Sequence, residues 1–327
     1  MFEAWGLLGN ALILLASFIV LDQASDLAIT NSVKVAGITG IGKTTVGFIL
    51  VAFSTSLPEL SVSVFAAIGG ESLGVAVGNV LGSNIVNICL ILGVCFLLLT
   101  IKNAEREKFI PLMAKEEVGN LYFGLFVASI IPLTLLYIGY ASRFIGILLL
   151  AIFIFYVYQL SKVRKIREEG ALGEEHQKLR RYSLLTILGA MGVVISSYFI
   201  VDSASYIALG IGVPQVVIGA TVVAFGTSLP ELVTSIDSVQ KGHMDLALGN
   251  IVGSCFINTT CILGVALIGS PLTVNMAAFS NLVMFSLITN LLLWYFLSSE
   301  RISWREGIML LFMYAVFLAT SFGGYRA

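Results

Sequence analysis

Two glutamates lie within apolar stretches of this chain, and both belong to the same short motif. Glu59 and Glu231 each end the sequence Thr-Ser-Leu-Pro-Glu, which occurs at 55–59 and again at 227–231. A carboxylate in the middle of a membrane segment is costly, so it usually has a function. The proline before each glutamate cannot donate a backbone hydrogen bond, and inside a helix it should free carbonyl oxygens near 52–54 and 224–226. The repeated motif therefore indicates a membrane-embedded cation site.

A second repeated motif adds more side chains that carry oxygen. The pattern Gly-Asn-x-x-Gly-Ser-x-x-x-Asn occurs at 78–87 and 249–258. In each motif the candidate ligands are four residues apart, a spacing that places them on one helix face. The two motifs together predict eight ligand side chains: Thr55, Glu59, Ser83, Asn87, Thr227, Glu231, Ser254 and Asn258. The motif glycines, which should let neighbouring helices approach closely, are Gly78, Gly82, Gly249 and Gly253.

The chemistry of these ligands narrows the kind of ion. Carboxylate, hydroxyl and amide oxygens favour hard cations such as Ca²⁺, Na⁺ and Mg²⁺. Flexible coordination by about six to eight oxygens suits Ca²⁺ better than the rigid octahedron of Mg²⁺. Two carboxylates balance one divalent ion, and they equally balance two Na⁺ or two protons. The charge count therefore permits exchange of a divalent ion for monovalent ions, without choosing Na⁺ over H⁺.

The composition is that of an integral membrane protein. Of the 327 residues, 58% are hydrophobic and 11% are charged, whereas a soluble domain has about 25% charged residues. Ten apolar stretches approach or exceed the length that crosses a bilayer as a helix, about 20 residues. The predicted spans are 4–21, 45–68, 73–100, 118–138, 143–161, 183–201, 214–239, 244–269, 277–297 and 306–323. Since no nucleophile–base pair or cofactor motif occurs, we expect neither an enzyme nor a bound cofactor, and nothing predicts binding to nucleic acid.

The positions of lysine and arginine set the predicted orientation. When ten spans are traced from an external N-terminus, all of the 18 basic residues except Arg143 and Arg326 fall on the cytoplasmic side, as the positive-inside rule requires. Both termini are then outside, and the charged segment 161–182 is a cytoplasmic linker. It separates residues 1–160 from residues 183–327, and each half carries five spans and both motifs. Because five is odd, the predicted fold is an all-α integral membrane protein of ten transmembrane helices, arranged as two inverted-topology five-helix repeats.

At these residues the sequence resembles the sodium/calcium exchangers, because its Thr-Ser-Leu-Pro-Glu and Gly-Ser-x-x-x-Asn motifs look like the two α-repeats of that family. The resemblance implies alternating access in the plasma membrane, with Na⁺ influx driving Ca²⁺ transport and several Na⁺ exchanged per Ca²⁺. It implies that the eight side chains line the ion sites, helped by the backbone carbonyls of Ala52 and Ala224. Asn258 replaces an aspartate of potassium-dependent relatives, which points to K⁺-independent exchange. No protein partner is implied.

Two other functions stay open on the sequence. A Ca²⁺/H⁺ antiporter would use the same site and would move Ca²⁺ on a pH gradient without Na⁺. A passive cation channel would conduct without any counter-ion, although repeated helices that are broken at the site favour a transporter.

Overall fold

A computed structural model describes ten stretches of the chain, and every regular element within them is helical. The described residues are 6–39, 55–68, 73–102, 115–138, 142–161, 175–240, 242, 244–269, 276–298 and 303–323.

The first half contributes six of the described helices. They are α1 (Gly6–Thr39), α2 (Leu57–Ile68), α3 (Leu73–Ile85), α4 (Gly93–Lys102), α5 (Lys115–Ile138) and α6 (Arg143–Ser161). A wider, π-helical segment at Val86–Leu92 joins α3 to α4.

The second half contributes eight, of which the first starts within the predicted linker. They are α7 (Glu175–Ile211), α8 (Gln215–Ile218), α9 (Ala224–Thr227), α10 (Leu229–Gln240), α11 (Met244–Ile257), α12 (Leu263–Gly269), α13 (Met276–Ser298) and α14 (Trp304–Gly323). Two π-helical segments continue this half, at Gly219–Val223 and at Asn258–Ile262. Such segments are rare and often occur at functional sites.

The described helices make this a multi-pass membrane protein. Six of them are long and apolar enough to cross a bilayer, and a bent pair, Gln215–Thr227 with Leu229–Gln240, brings the number to seven. Three further apolar helices in the described residues are shorter: Leu57–Ile68, Tyr122–Ile138 and Arg143–Tyr158. Each predicted span contains helix in its described part, but residues 45–54 of the second span lie outside the described residues. The plan of ten spans in two repeats therefore stays a prediction.

Helix α3 crosses the segment that contains α8 and the following π-helical turn at very short range. A Cβ atom on Gly78 would overlap the carbonyl oxygen of Val216, and one on Gly82 would overlap the backbone of Ala220. Small residues are what allow membrane helices to approach this closely. The prediction for the motif glycines is confirmed at these two positions. At Gly249 an added Cβ would meet nothing within 4 Å among the described residues, so the prediction has no support there.

The second motif glutamate follows a break in its span. Helix α9 ends at Thr227 and α10 begins at Leu229, and the two parts of the span differ in direction by 46°. Pro230 is therefore the second residue of a new helix, where a missing N–H costs little. We expected the proline to free carbonyls at 224–226. Instead the Ala224 carbonyl accepts hydrogen bonds from the Ser228 N–H at 3.1 Å and from the Thr227 hydroxyl at 3.3 Å.

The outer helices of the two halves pack in a corresponding way. The last helix of the first half, α6, packs against α12 of the second half, and α14 packs against α4 of the first. A pair of glycines lies at each of these crossings: a Cβ on Gly146 would come within 2.7 Å of the Gly264 carbonyl, and one on Gly307 within 2.9 Å of the Gly93 carbonyl. The last helix of each half therefore packs against the helix that follows the second motif in the other half. The two long helices α1 and α7 lie along each other.

Candidate cation site

The structure brings the predicted ligands into the protein interior. Ala52 lies outside the described residues. The other nine predicted site residues are fully buried: Thr55, Glu59, Ser83, Asn87, Ala224, Thr227, Glu231, Ser254 and Asn258. Among the side chains whose exposure the structure describes, Glu59 and Glu231 are the only buried ones of the Asp, Glu, Lys, Arg and His types.

Each glutamate is hydrogen-bonded by a serine from the other half. The Ser228 hydroxyl donates to Glu59 Oε1 at 3.0 Å, and the Ser56 hydroxyl donates to Glu231 Oε1 at 3.2 Å. Ser254 from the second motif also donates to Glu231 Oε1, at 3.3 Å. The bonds from Ser228 and Ser56 run across the two halves of the chain, so the carboxylates belong to one shared site.

The two serines were missing from the predicted ligand set. Ser56 and Ser228 are buried and follow the motif threonine directly. The sequence contained a signal for them, because they repeat within the same five-residue motif as the glutamates. The helical spacing that pointed to Thr55 and Thr227 did not point to their neighbours, since it assumed an unbroken helix through the motif.

The other oxygen of each carboxylate has no hydrogen-bond partner among the described residues. Glu59 Oε2 and Glu231 Oε2 are buried and unpartnered. So are the Ser83 hydroxyl, the whole Asn87 side-chain amide and the Asn258 side-chain oxygen. A buried polar atom without a partner costs about 1–3 kcal/mol, and most proteins therefore leave few of them. Five acceptor oxygens left in this way are the ligands that a hard cation takes.

The second motif asparagine is also bonded across the halves. Asn258 Nδ2 donates to Asn84 Oδ1 at 3.1 Å, which leaves Asn258 Oδ1 unpartnered. Asn258 begins a π-helical segment, and Asn87 lies in the corresponding segment of the first half. The sequence did not predict Asn84, because Cys255 takes its place in the second motif.

The motif threonines are bonded to asparagines of the other half. The Thr227 hydroxyl donates to Asn79 Oδ1 at 3.0 Å, and the Thr55 hydroxyl donates to Asn250 Oδ1 at 3.4 Å. Asn79 and Asn250 are the second residues of the two Gly-Asn motifs. The site is thus held together by hydrogen bonds that repeat in both halves, and it combines two carboxylates with neutral oxygens.

Comparisons with known proteins agree with a transporter. A sequence model of the sodium/calcium exchanger protein family matches residues 9–162 and 182–323. The chain is 30% identical to the sodium/calcium exchanger MaX1 of Methanosarcina acetivorans, over 96% of this chain and 98% of that protein. It is 31% identical to the inner membrane protein YrbG of Escherichia coli, over 88% and 89% of the two chains.

Solved structures give the same class. The sodium-calcium exchanger NCX_Mj superposes with a TM-score of 0.67 at 28% identity, over 96% of this chain and 99% of that one. The H⁺/Ca²⁺ exchanger CAX superposes with a TM-score of 0.77 at 18% identity, over 96% and 87%, which is a likeness of fold. The fold and the site therefore define a membrane antiporter for ions rather than an enzyme. The chain belongs to the sodium/calcium exchanger family, and the resemblance seen in its motifs is confirmed.

Proposed function

We propose that this protein exchanges Na⁺ for Ca²⁺ across the plasma membrane by alternating access, with several Na⁺ moved per Ca²⁺ and without K⁺. The observation that carries the proposal is the pair of buried carboxylates, each with one oxygen that no described group bonds, together with unbonded neutral oxygens of the same two motifs. A divalent ion between Glu59 and Glu231 would cancel both charges. Two Na⁺ would do the same, so the two kinds of ion would compete for one site.

The identity of the relatives supports Na⁺ as the counter-ion. MaX1, which aligns over nearly the whole chain, is a sodium/calcium exchanger. The likeness to the H⁺/Ca²⁺ exchanger is closer in shape but lower in sequence, so Ca²⁺/H⁺ antiport is the second candidate. A passive channel is disfavoured because both glutamates are fully buried by protein, whereas an open pore would expose them to water.

The repeat arrangement is part of the same proposal. In it, residues 1–160 and 183–327 form two five-helix repeats of opposite orientation, with both termini outside and segment 161–182 in the cytoplasm. The corresponding glycine crossings of α6 with α12 and of α14 with α4 support this pairing. The cation site then lies between the repeats, near the middle of the bilayer, as in other inverted-repeat transporters.

Uptake of radioactive calcium into proteoliposomes tests the function. We expect uptake when the vesicles are loaded with Na⁺ and diluted into Na⁺-free medium, because outward Na⁺ flow then drives Ca²⁺ inward. Gradients of K⁺ and of pH, imposed separately at equal Na⁺ on both sides, are expected to drive none. Uptake on a pH gradient without Na⁺ would replace the proposal with Ca²⁺/H⁺ antiport. Flux that needs no counter-ion would replace it with a channel.

K⁺-independence is a separate prediction. Asn258 is neutral, so the site has the two charges of Glu59 and Glu231 and no third carboxylate at this position. A K⁺ ion transported together with Ca²⁺ would then be buried without a balancing charge, which is costly in a low-dielectric interior. We expect the same initial rate of Na⁺-driven Ca²⁺ uptake with and without K⁺ on both sides. A rate that rises several-fold on adding K⁺ would contradict this.

A further inference from the structure

Two buried asparagines outside the predicted ligand set connect the halves of the site. Asn79 on α3 and Asn250 on α11 occupy the same position in the two Gly-Asn motifs. Asn79 is fully buried and Asn250 is 5% exposed. Each forms hydrogen bonds both to its own half and to the other half, and neither side-chain nitrogen nor side-chain oxygen is left over.

The bonds of Asn79 reach two ligand residues at once. Its Nδ2 donates to the backbone carbonyl of Glu59 at 3.2 Å and to the Ser63 hydroxyl at 3.1 Å. Its Oδ1 accepts the hydroxyl proton of Thr227 at 3.0 Å, a shorter contact than the 3.3 Å from the same hydroxyl to the Ala224 carbonyl. Asn79 therefore ties the helix that carries one glutamate to the threonine that comes from the other half.

Asn250 repeats the arrangement in the second half. Its Nδ2 donates to the Ser235 hydroxyl at 3.3 Å, and its Oδ1 accepts from the Thr55 hydroxyl at 3.4 Å. Ser235 lies four residues after Glu231, as Ser63 lies four residues after Glu59. The contact to threonine is longer than that of Asn79, but a serine and a threonine meet the amide in the same way; the bond from Asn79 to a glutamate carbonyl is found in the first half.

The direction of the hydroxyl proton matters for ion binding. A threonine hydroxyl has one proton and two lone pairs. When the proton goes to an amide oxygen, the lone pairs are available to a cation. When it goes to a carboxylate, the threonine oxygen points its proton toward the site, and one carboxylate lone pair is also occupied. A neutral acceptor behind the threonine therefore favours the ion-binding orientation.

We propose that Asn79 and Asn250 are positioning residues of the cation site, each taking the hydroxyl proton of the threonine from the other half so that the threonine oxygen faces the ion. The inference rests on the proposed function for its ions. It predicts that Asn79 acts through Thr227, and Asn250 through Thr55. An asparagine that only fills space between helices would act on folding and not through one particular threonine.

A double-mutant cycle tests the link between Asn79 and Thr227. Asn79→Ala and Thr227→Val are made singly and together, and the Ca²⁺ concentration for half-maximal uptake is measured. We expect each single change to raise this concentration about fivefold or more, roughly the loss of one hydrogen bond. The double variant is expected to be no worse than the poorer single one. Effects that multiply to within about twofold would show independent sites and overturn the proposal.

The second threonine provides the matched control. The Thr55 hydroxyl donates to Asn250, whereas Asn79 bonds Glu59, Ser63 and Thr227. The effects of Asn79→Ala and Thr55→Val are therefore expected to multiply. In the mirror cycle, the effects of Asn250→Ala and Thr55→Val on the half-maximal Ca²⁺ concentration are expected not to multiply. This cycle tests the proposal if the Asn79→Ala protein does not fold. Thr227→Ser, which keeps the hydroxyl, is expected to restore the sensitivity to Asn79→Ala that Thr227→Val removes.

A measurement without transport separates this inference from the proposed function. The increase in melting temperature on adding Ca²⁺, or Na⁺, to the purified protein reports binding alone. If the wild-type protein binds but does not exchange Na⁺ for Ca²⁺, the proposed function fails and the cycles are still read from the melting shifts. Loss of stability in Asn79→Ala without any change in ion response would make Asn79 merely structural. If neither ion shifts the wild-type melting temperature, both proposals fail.

Discussion

Glu59→Gln and Glu231→Gln are each expected to abolish Na⁺-driven Ca²⁺ uptake. Each removes one of the two charges that balance a divalent ion in a fully buried site. Removing one partner of a buried charge pair costs about 3–5 kcal/mol, which is roughly two to three and a half orders of magnitude in affinity. The measurement is initial Ca²⁺ uptake by proteoliposomes that contain equal amounts of protein. Uptake above about a tenth of the wild-type rate would show that the glutamate concerned is not an essential ligand of the ion.

Loss of folding would mimic this result, and the chemistry of the change argues against it. Glutamine has the shape of glutamate, and without ions it replaces a buried charge with a neutral group that is cheaper to bury. We therefore expect both variants to melt, in ion-free buffer, no lower than the wild-type protein. Asp237→Asn is the control for loss of an acidic group on the same helix, since Asp237 is exposed on α10. It is expected to transport at close to the wild-type rate.

Gly82→Ala is expected to reduce exchange by about a hundredfold or more, because a displacement of about 1 Å at a working site can cost that much. The added Cβ would overlap the backbone of Ala220, which cannot turn away as a side chain can. Helix α3 would have to move off the π-helical segment at Gly219–Val223. Ser83 follows Gly82 directly and would move with it. A transport rate within a few-fold of wild type would show that this close crossing does not set the site's geometry.

The second half contains a control of matched chemistry. Gly249 occupies in its motif the position that Gly78 occupies in the first, yet an added Cβ there would meet no atom of the described residues within 4 Å. In a helix, alanine is also favoured over glycine by about 1 kcal/mol. Gly249→Ala is therefore expected to keep full transport and to melt at the same or a higher temperature. Equal damage from Gly82→Ala and Gly249→Ala would mean that the close crossing at Gly82 does not explain the loss.

The contrast between these glycines marks a limit of the sequence. The repeated motifs identified the buried residues well. Burial can be predicted from an apolar span, and a repeat is visible in the residue order itself. They treated Gly78 and Gly249 as equivalent. Whether a glycine contacts another backbone depends on which helix crosses it. The segment that crosses Gly78 runs from α8 to Val223, more than 130 residues away in the sequence.

The hydrogen bonds across the halves could not be predicted either. Helical spacing pairs Thr55 with Glu59, but the chain turns at Ser56 between them. The break sends the serine hydroxyl to Glu231, a residue of the other half. For the same reason the Ala224 carbonyl, expected to be free, is occupied by donors at the break, the Thr227 hydroxyl and the Ser228 N–H. The proline predicted that the helix would break, but tertiary packing determines which groups the residues at the break bond to.

The exchange of serines between the two halves has a consequence for how ions enter and leave. The hydroxyl that supports one carboxylate is attached to the segment that carries the other carboxylate. A movement that pulls the segments apart would take one supporting hydroxyl from each acid in the same instant, and water would have to reach both together. Ions would then enter or leave both carboxylates at the same time, and a state with an ion at one carboxylate alone would be short-lived.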